Sequence, residues 1–188
     1  MNDLETTRAD GLAATPRPDP ARLHEVFYLD EAGDLRWRRR DDRSRQWNAR
    51  YAHKLVGCVR DDGYRACRFE RRGYLVHHIV WALVHGEWPA PKVQIDHKSR
   101  QRSQNRPGNL RASTHAQNNW NRPAYRNNRS GYKGVSWAKH AGKWRAIIRC
   151  NKVVHRLGYF DQAEDAARAY NQAAAKLHGE FANLGAVQ

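Results

Sequence analysis

The stretch Val93 to Asn121, VQIDHKSRQRSQNRPGNLRASTHAQNNWN, decides how the chain is read. Val93 to Ile95 predicts a short strand that runs into Asp96-His97. Lys98 to Gly108 is polar and closes on Pro107-Gly108, so it predicts a loop. Asn109-Leu110-Arg111 reads as a returning strand, and Ser113-Thr114 can cap a helix over His115 to Asn121. The order is strand, loop, strand, helix. Asp96 and His97 are adjacent, Asn109 lies twelve residues after His97, and Asn118 nine after Asn109.

Those residue types belong together chemically. Hydrolysing a phosphodiester takes an activated water and a divalent cation that stabilises charge on the leaving oxygen. A neutral histidine can accept the proton from water near pH 7. A carboxylate with an amide oxygen suits a hard ion such as Mg²⁺, which keeps several waters and takes few protein ligands. Neighbouring side chains of a regular strand point to opposite faces, so Asp96 and His97 can share a site only where the pleat ends.

Upstream, Leu23, Val26, Phe27 and Leu29 precede a turn at Ala32-Gly33-Asp34, with Leu35 and Trp37 after it. Val56 to Val59 and Tyr64 to Phe69 flank Asp61-Asp62-Gly63, strong hairpin chemistry. Apolar positions 75, 76, 79, 80, 83 and 84 make a helical stripe that stops at Gly86 and Pro89. On that helix His77 reads as structural or near the site, and His78 as surface.

Downstream, Tyr132 to Trp137, Lys143 to Cys150 and Val153 to Phe160 alternate as three antiparallel strands, with Asn151-Lys152 as the second turn. Asp161 and Glu164 have capping-box spacing. Ala163, Ala166, Ala167, Tyr170, Ala173, Ala174 and Leu177 form one apolar helical stripe. The helix should cover the face of Trp144, Ala146 and Ile148. The opposite face is left outward, with Lys133, Lys143, Arg145, Arg149 and Arg156. Lys139, in the turn before the second of these strands, joins them as a DNA-contacting candidate.

Charge supports a polyanionic partner. The chain has 188 residues, with 34 Lys and Arg against 19 Asp and Glu, for a net charge of +15. Between Asp96 and Asp161 there is no acidic residue, while 15 Lys and Arg fall among the 64 intervening positions. A merely solvated surface interleaves both signs. No apolar run reaches the roughly 18 residues of a membrane span, and residues 1–20 lack the apolar core of a secretory signal. A cytoplasmic protein without membrane contact is therefore expected. Cys58, Cys67 and Cys150 are far apart and include no Cys-x-x-Cys pair, so reduced, buried thiols are expected rather than a zinc knuckle or a disulfide framework.

The segments Val76-His77 to Trp81, Gly86-Glu87-Trp88-Pro89, Ile95-Asp96-His97, Asn105-Arg106, Asn109-Leu110-Arg111 and Gln117-Asn118 together resemble the HNH endonucleases, particularly the phage and intron-encoded homing type. The resemblance implies a ββα-metal fold. It implies His97 as general base, Asp96 and Asn118 as metal ligands, and Asn109 as the residue bracing the loop that carries His97. It also implies a Mg²⁺ or Mn²⁺ cofactor and ends with 5′-phosphate and 3′-hydroxyl groups. Arg100 and Gln101 stand where many relatives have Gly-Asp, and Gln104 where they have Asp. If the glycine position needs a positive φ, Arg100 strains the loop.

Gly131-Tyr132-Lys133-Gly134-Val135, Gly142-Lys143-Trp144, Leu157-Gly158-Tyr159-Phe160 and the Ala166 to Ala174 helix resemble the plant Apetala-type (ethylene-response-factor) DNA-binding domain. A three-stranded sheet of this kind can lie in the major groove. Ser136, Ile147 and Arg156 replace an Arg, a Glu and a Trp of the plant proteins, so their target sequence does not carry over.

The expectation is an α+β protein: a disordered leader over 1–20, a nuclease domain over 21–121, a linker over 122–130, and a DNA-binding domain over 131–185, a small three-stranded antiparallel sheet packed on one helix. It would act as a monomer on double-stranded DNA, without a small-molecule cofactor. The rival reading is a DNA-binding regulator whose nuclease has decayed. An RNA-binding protein is favoured by charge alone and by neither motif.

Overall fold

The computed structural model describes residues 17–185. Residues 1–16, most of the expected leader, lie outside them. The remainder of that leader is engaged: Trp88 Nε1 donates to the Pro18 carbonyl at 2.8 Å, the Arg17 guanidinium lies 5.4 Å from the Trp88 ring centre, and Pro20 opens the first helix. The fold mixes small antiparallel sheets with five α-helices among the described residues. The chain divides into two compact units that meet in sequence at Ala112 and Ser113.

In the first unit, α1 (Pro20–Val26) leads into the hairpin β1 (Phe27–Leu29) and β2 (Leu35–Trp37), then α2 (Arg45–Tyr51). A three-stranded antiparallel sheet follows, β3 (Cys58–Val59), β4 (Arg65–Phe69) and β5 (Arg72–Leu75), then α3 (Val76–His85). The turn at residues 61–63 joins β3 to β4 as expected, in the register Cys58↔Ala66 and Val59↔Arg65. Gly86, at φ 71°, ends α3 by donating its N–H to Ala82, the left-handed cap that glycine takes without strain. The helices α1 and α2, seven residues each, are too short to carry a full periodic stripe and were not expected from the sequence, nor was β5. β5 is reached through Glu70 and Arg71, both at positive φ, a turn with neither Gly nor Asn to announce it.

The core of this unit joins Leu23, Val26 and Phe27 to Leu35, Trp37, Val56, Phe69, Val76, Ile79, Val80, Ile95 and Leu110. Ile95 lies on β6 (Gln94–His97) and Leu110 on β7 (Leu110–Ser113), which pair with each other. These two apolar anchors fix the strands that carry the polar constellation. His78 departs from the expected surface position: it is half-buried, edge-on to His77 at 4.5 Å, and burial lowers its pKa to about 4. The cysteines also diverge. Cys150 is buried as expected, but Cys58 is exposed, and Cys67 is half-buried, its thiol pushed up to about 12 by desolvation.

The second unit starts with α4 (His115–Asn121). Thr114 and Gln117 form a reciprocal capping box, Thr114 N to Gln117 Oε1 at 2.8 Å and Gln117 N to Thr114 Oγ1 at 3.2 Å. Then come β8 (Val135–Ala138), β9 (Lys143–Cys150) and β10 (Val153–Phe160), antiparallel in the order β10-β9-β8, and α5 (Ala163–His178). Ala146 and Ile148 of β9 pack on Ala166, Ala167, Tyr170 and Ala174 of α5, as the alternation requires. A bulge between Arg156 and Gly158 lets Leu157 turn into the core as well. Gly134 is obligatory: at φ 74°, a Cβ would sit 2.2 Å from the Tyr170 ring. The expected Asp161–Glu164 capping box does not form. Gln162 is the N-cap, one residue later, so Asp161 pairs instead with Lys143 at 3.1 Å and Glu164 accepts from the Tyr132 hydroxyl at 3.3 Å.

Candidate active site

Asp96 and His97 end β6, and both side chains are buried. The pairing with the next strand continues just past them, where Lys98 N donates to the Asn109 carbonyl at 2.8 Å. His97 Nε2 is 2.9 Å from Asn105 Oδ1. The orientation of that amide is set by its other end, because Asn105 Nδ2 donates to the Ser103 carbonyl at 3.1 Å. An oxygen therefore faces His97, so Nε2 carries the hydrogen and Nδ1 is the basic nitrogen. Burial holds the His97 pKa below its ordinary value, against smaller upward contributions from the Asn105 hydrogen bond and the Asp96 charge. Near neutral pH the ring is uncharged and able to take a proton.

Asp96 faces a different partner. Arg111, on β7, donates Nε and a terminal N–H to Oδ2 at 2.9 and 2.8 Å. This is a buried ion pair, with both side chains at or below 10% exposure. The carboxylate is a hard oxygen donor of the kind Mg²⁺ or Mn²⁺ takes. Among the described residues no three His, Cys, Asp or Glu side chains come together to hold a metal.

Asn109 grips the loop from both ends. Its Oδ1 accepts from Ser99 N at 2.9 Å, and its Nδ2 donates to the Gln104 carbonyl at 2.7 Å. Between these anchors Arg100 has φ 65°, so the position where relatives carry glycine does need the left-handed conformation. Asn118 lies on α4, in the second unit. Asp96 and His97 thus stand at one strand end and Asn109 holds the loop that follows, while Asn118 belongs to the other unit.

Around His97 the structure adds residues that spacing alone did not single out. His77 stands edge-on to it at 5.0 Å, and Tyr64 packs on both rings at 5.9 and 5.3 Å. His77 is buried, its Nδ1 has no hydrogen-bond partner, and desolvation, then the charges of His78 and His97, push its pKa well down. The Arg102 guanidinium covers Tyr64 at 4.9 Å and donates to the Asp62 carbonyl at 2.8 Å, tying the loop to the β3–β4 turn. Asn105 and Arg111 were already within the quoted segments. Their signal was position, eight residues after His97 and two after Asn109.

On the second unit, strand pairing sets Arg145 beside Tyr159 and Ser136, Arg156 beside Ile147, and Arg149 beside Val154, on the face away from α5. Arg149, Arg156 and Lys139 are exposed. Arg145 reaches Ser136 Oγ at 3.3 Å, and its Nε is buried without a partner. Lys143 is paired with Asp161. Lys133 departs from the outward set, because its Nζ donates to the Trp120 and Arg122 carbonyls at 2.6 and 2.7 Å.

The family model described as HNH endonuclease matches residues 74–120, which include all four motif positions. The chain is 34% identical over 109 residues to Protein 3.8 of Escherichia phage T7, covering 57% of this chain and 88% of that protein. It is 29% identical over 108 residues to an uncharacterized HNH endonuclease of Acanthamoeba polyphaga mimivirus, covering 57% of this chain and 54% of the relative. It is also 43% identical over 63 residues to an AP2-like ethylene-responsive transcription factor of Arabidopsis thaliana, 33% of this chain and 13% of the plant protein. No solved structure matches. The 74–120 match makes this stretch an HNH endonuclease domain, which makes the chain a nuclease, and the coverage of the phage protein places the chain in one family with it.

Proposed function

We propose that the protein is a metal-dependent DNA endonuclease of homing type, in which residues 21–121 cut and residues 131–185 hold the duplex. The observation that carries this reading is His97. It is buried, uncharged near neutral pH, held through Nε2–H by Asn105, and adjacent to a buried carboxylate. In this reading Nδ1 takes the proton of the attacking water. Asp96 and Asn118 would hold a divalent cation, Mg²⁺ or Mn²⁺, which when bound stabilises charge on the leaving oxygen. Asn109 keeps the ring in place by fixing the loop at Ser99 and Gln104. The succession β6, β7, α4 has the strand, strand, helix order of a ββα-metal segment.

Arg145, Arg149 and Arg156, with Lys139 and Lys143 at the sheet edge, supply the basic face for the duplex. The likeness to the plant Apetala-type segment supports this use of the sheet. A merely solvated face is disfavoured by the absence of any acid from position 97 to 160.

The rival, a decayed nuclease acting as a DNA-binding regulator, draws on the altered loop at Arg100, Gln101 and Gln104. The brace from Asn109 ends on backbone atoms, so those substitutions leave it intact. The test is conversion of supercoiled plasmid with Mg²⁺ or Mn²⁺, comparing wild type, His97→Ala and an EDTA control. Nicking or linearisation that requires both metal and His97 is expected. Tight binding without cleavage, on a plasmid carrying the cognate locus, would favour the regulator.

A further inference from the structure

We propose that the DNA-binding unit also positions Asn118 of the nuclease, and that Lys133 is the positioning residue. This rests on the preceding reading, in which Asn118 is a metal ligand. A seven-residue helix such as α4 does not hold itself together in water, since isolated helices shorter than about 12–15 residues are marginal. Its order must come from what it touches. The capping box serves the first turn, and the last turn is gripped from three other parts of the second unit.

The Lys133 ammonium, just ahead of β8, donates to the carbonyls of Trp120 and Arg122 at 2.6 and 2.7 Å. A cation placed there satisfies carbonyls the helix leaves open and complements the negative end of its dipole. The Trp120 ring stacks on His178 at 4.4 Å and 7°, at the end of α5. Asn183 Nδ2 donates to the Asn121 carbonyl at 3.2 Å, and both asparagines are buried. Asn118 is one turn or less from each of these holds.

The grip continues into the DNA-facing sheet. His178 Nε2 lies 3.0 Å from the carbonyl of Arg149, whose side chain is on the outward basic face. One short path thus leads from an outward arginine through His178 and Trp120 to the helix carrying Asn118. The segment between is stitched too. Asn128 Nδ2 donates to the Tyr132 carbonyl at 2.7 Å, and Ser130 Oγ to the Val135 carbonyl at 2.9 Å. Docking of the sheet and presentation of Asn118 are therefore properties of one packed body.

This reassigns Lys133 from a phosphate contact to a residue that acts through Asn118, and the two roles separate experimentally. In the full-length protein, Lys133→Met keeps the aliphatic stem and removes the donors. Single-turnover plasmid cleavage at saturating protein with Mn²⁺ is expected to slow about 10- to 100-fold, the scale on which small misplacement of a catalytic group acts. Plasmid affinity and its salt slope should stay at wild-type values. Lys133→Arg, which can donate to two carbonyls, should restore part of the rate. Amide hydrogen exchange at the last turn of α4 should quicken in Lys133→Met.

Weaker binding with a slope about one unit shallower and an unchanged rate would make Lys133 a phosphate contact and overturn the inference. Cleavage lost in Asn118→Ala but intact in Lys133→Met would overturn it while leaving the nuclease reading standing. A wild-type chain that does not cut, or an Asn118→Ala chain that cuts as well as wild type, would remove the role of Asn118 and this inference with it.

Discussion

Arg111 sends two N–H groups to a single oxygen of Asp96, at 2.9 and 2.8 Å, across the β6–β7 pair. Taking away one member of a buried ion pair leaves the other desolvated and unmatched, at a cost of about 3–5 kcal/mol. Arg111→Met is expected to lower the unfolding free energy from urea titration by that order, and Arg111→Met with Asp96→Leu to be less destabilised than Arg111→Met alone. Equal stability of Arg111→Met and wild type would mean that the carboxylate does not depend on this guanidinium.

The proposed role of His97 sets the pH dependence expected of cleavage. With His97 as general base the active form is the neutral ring, so the rate is lost as pH falls through its pKa. Burial holds that pKa below 6.5, so the acid limb of the single-turnover rate should lie below pH 6.5 and the rate should be flat from there to neutrality. Asn105→Ala removes an interaction that raises the pKa and fixes the ring. Its acid limb should shift lower still, with a smaller plateau.

His77 makes the fold acid-sensitive. Its pKa is depressed in the folded chain, so below the unfolded value of about 6.5 the unfolded chain binds a proton that the folded chain does not. Stability is retained above that value and falls as pH drops below it, by up to about 1.4 kcal/mol per pH unit for this residue. His77→Phe should flatten the dependence of the thermal midpoint between pH 6.5 and 5. A wild-type midpoint that is level over that range would remove the buried neutral histidine from the account.

Arg100 occupies a left-handed position at φ 65°. A side chain there costs about 1 kcal/mol relative to glycine. Arg100→Gly is therefore expected to stabilise the first unit by up to that amount in denaturant titrations, with the Asn109 brace unchanged. A destabilised Arg100→Gly would show that contacts of the arginine outweigh its backbone strain.

If the basic sheet holds the duplex as proposed, about eight phosphate contacts would give a log–log salt slope near −7 for the wild type. Arg149→Gln, on the outward face of β9, should weaken binding across DNA sequences and make the slope shallower by about one. A flat salt response in the wild type would count against the whole face.

Much of this was legible in the residues. Hydrophobic alternation located β9 and β10, the Asp61-Asp62-Gly63 turn located the β3–β4 hairpin, and the spacing of Ala166, Tyr170 and Ala174 located the buried side of α5. What escaped were α1 and α2, seven residues each and too short for a full periodic stripe, and β5 behind Glu70-Arg71. At the site, spacing brought out Asp96, His97, Asn109 and Asn118, but pairwise chemistry is not written in spacing. That Asn105 orients His97, that Arg111 neutralises Asp96, and that Lys133 turns toward α4 depend on which atoms tertiary packing brings within 3 Å.

The Asn109 brace has a bearing on how such enzymes are found and altered. Because its two hydrogen bonds end on main-chain atoms of Ser99 and Gln104, it imposes no chemistry on the side chains between them. The intervening side chains can vary without touching either bond, and here three of the four, Arg100, Gln101 and Arg102, are long and polar. A search pattern written on the anchors, Asp-His, the asparagine eight residues on and the asparagine twelve residues on, will therefore reach members that a pattern requiring Gly-Asp passes over. For an engineer, the same four positions are where new side chains can be introduced with the anchors of the loop left undisturbed.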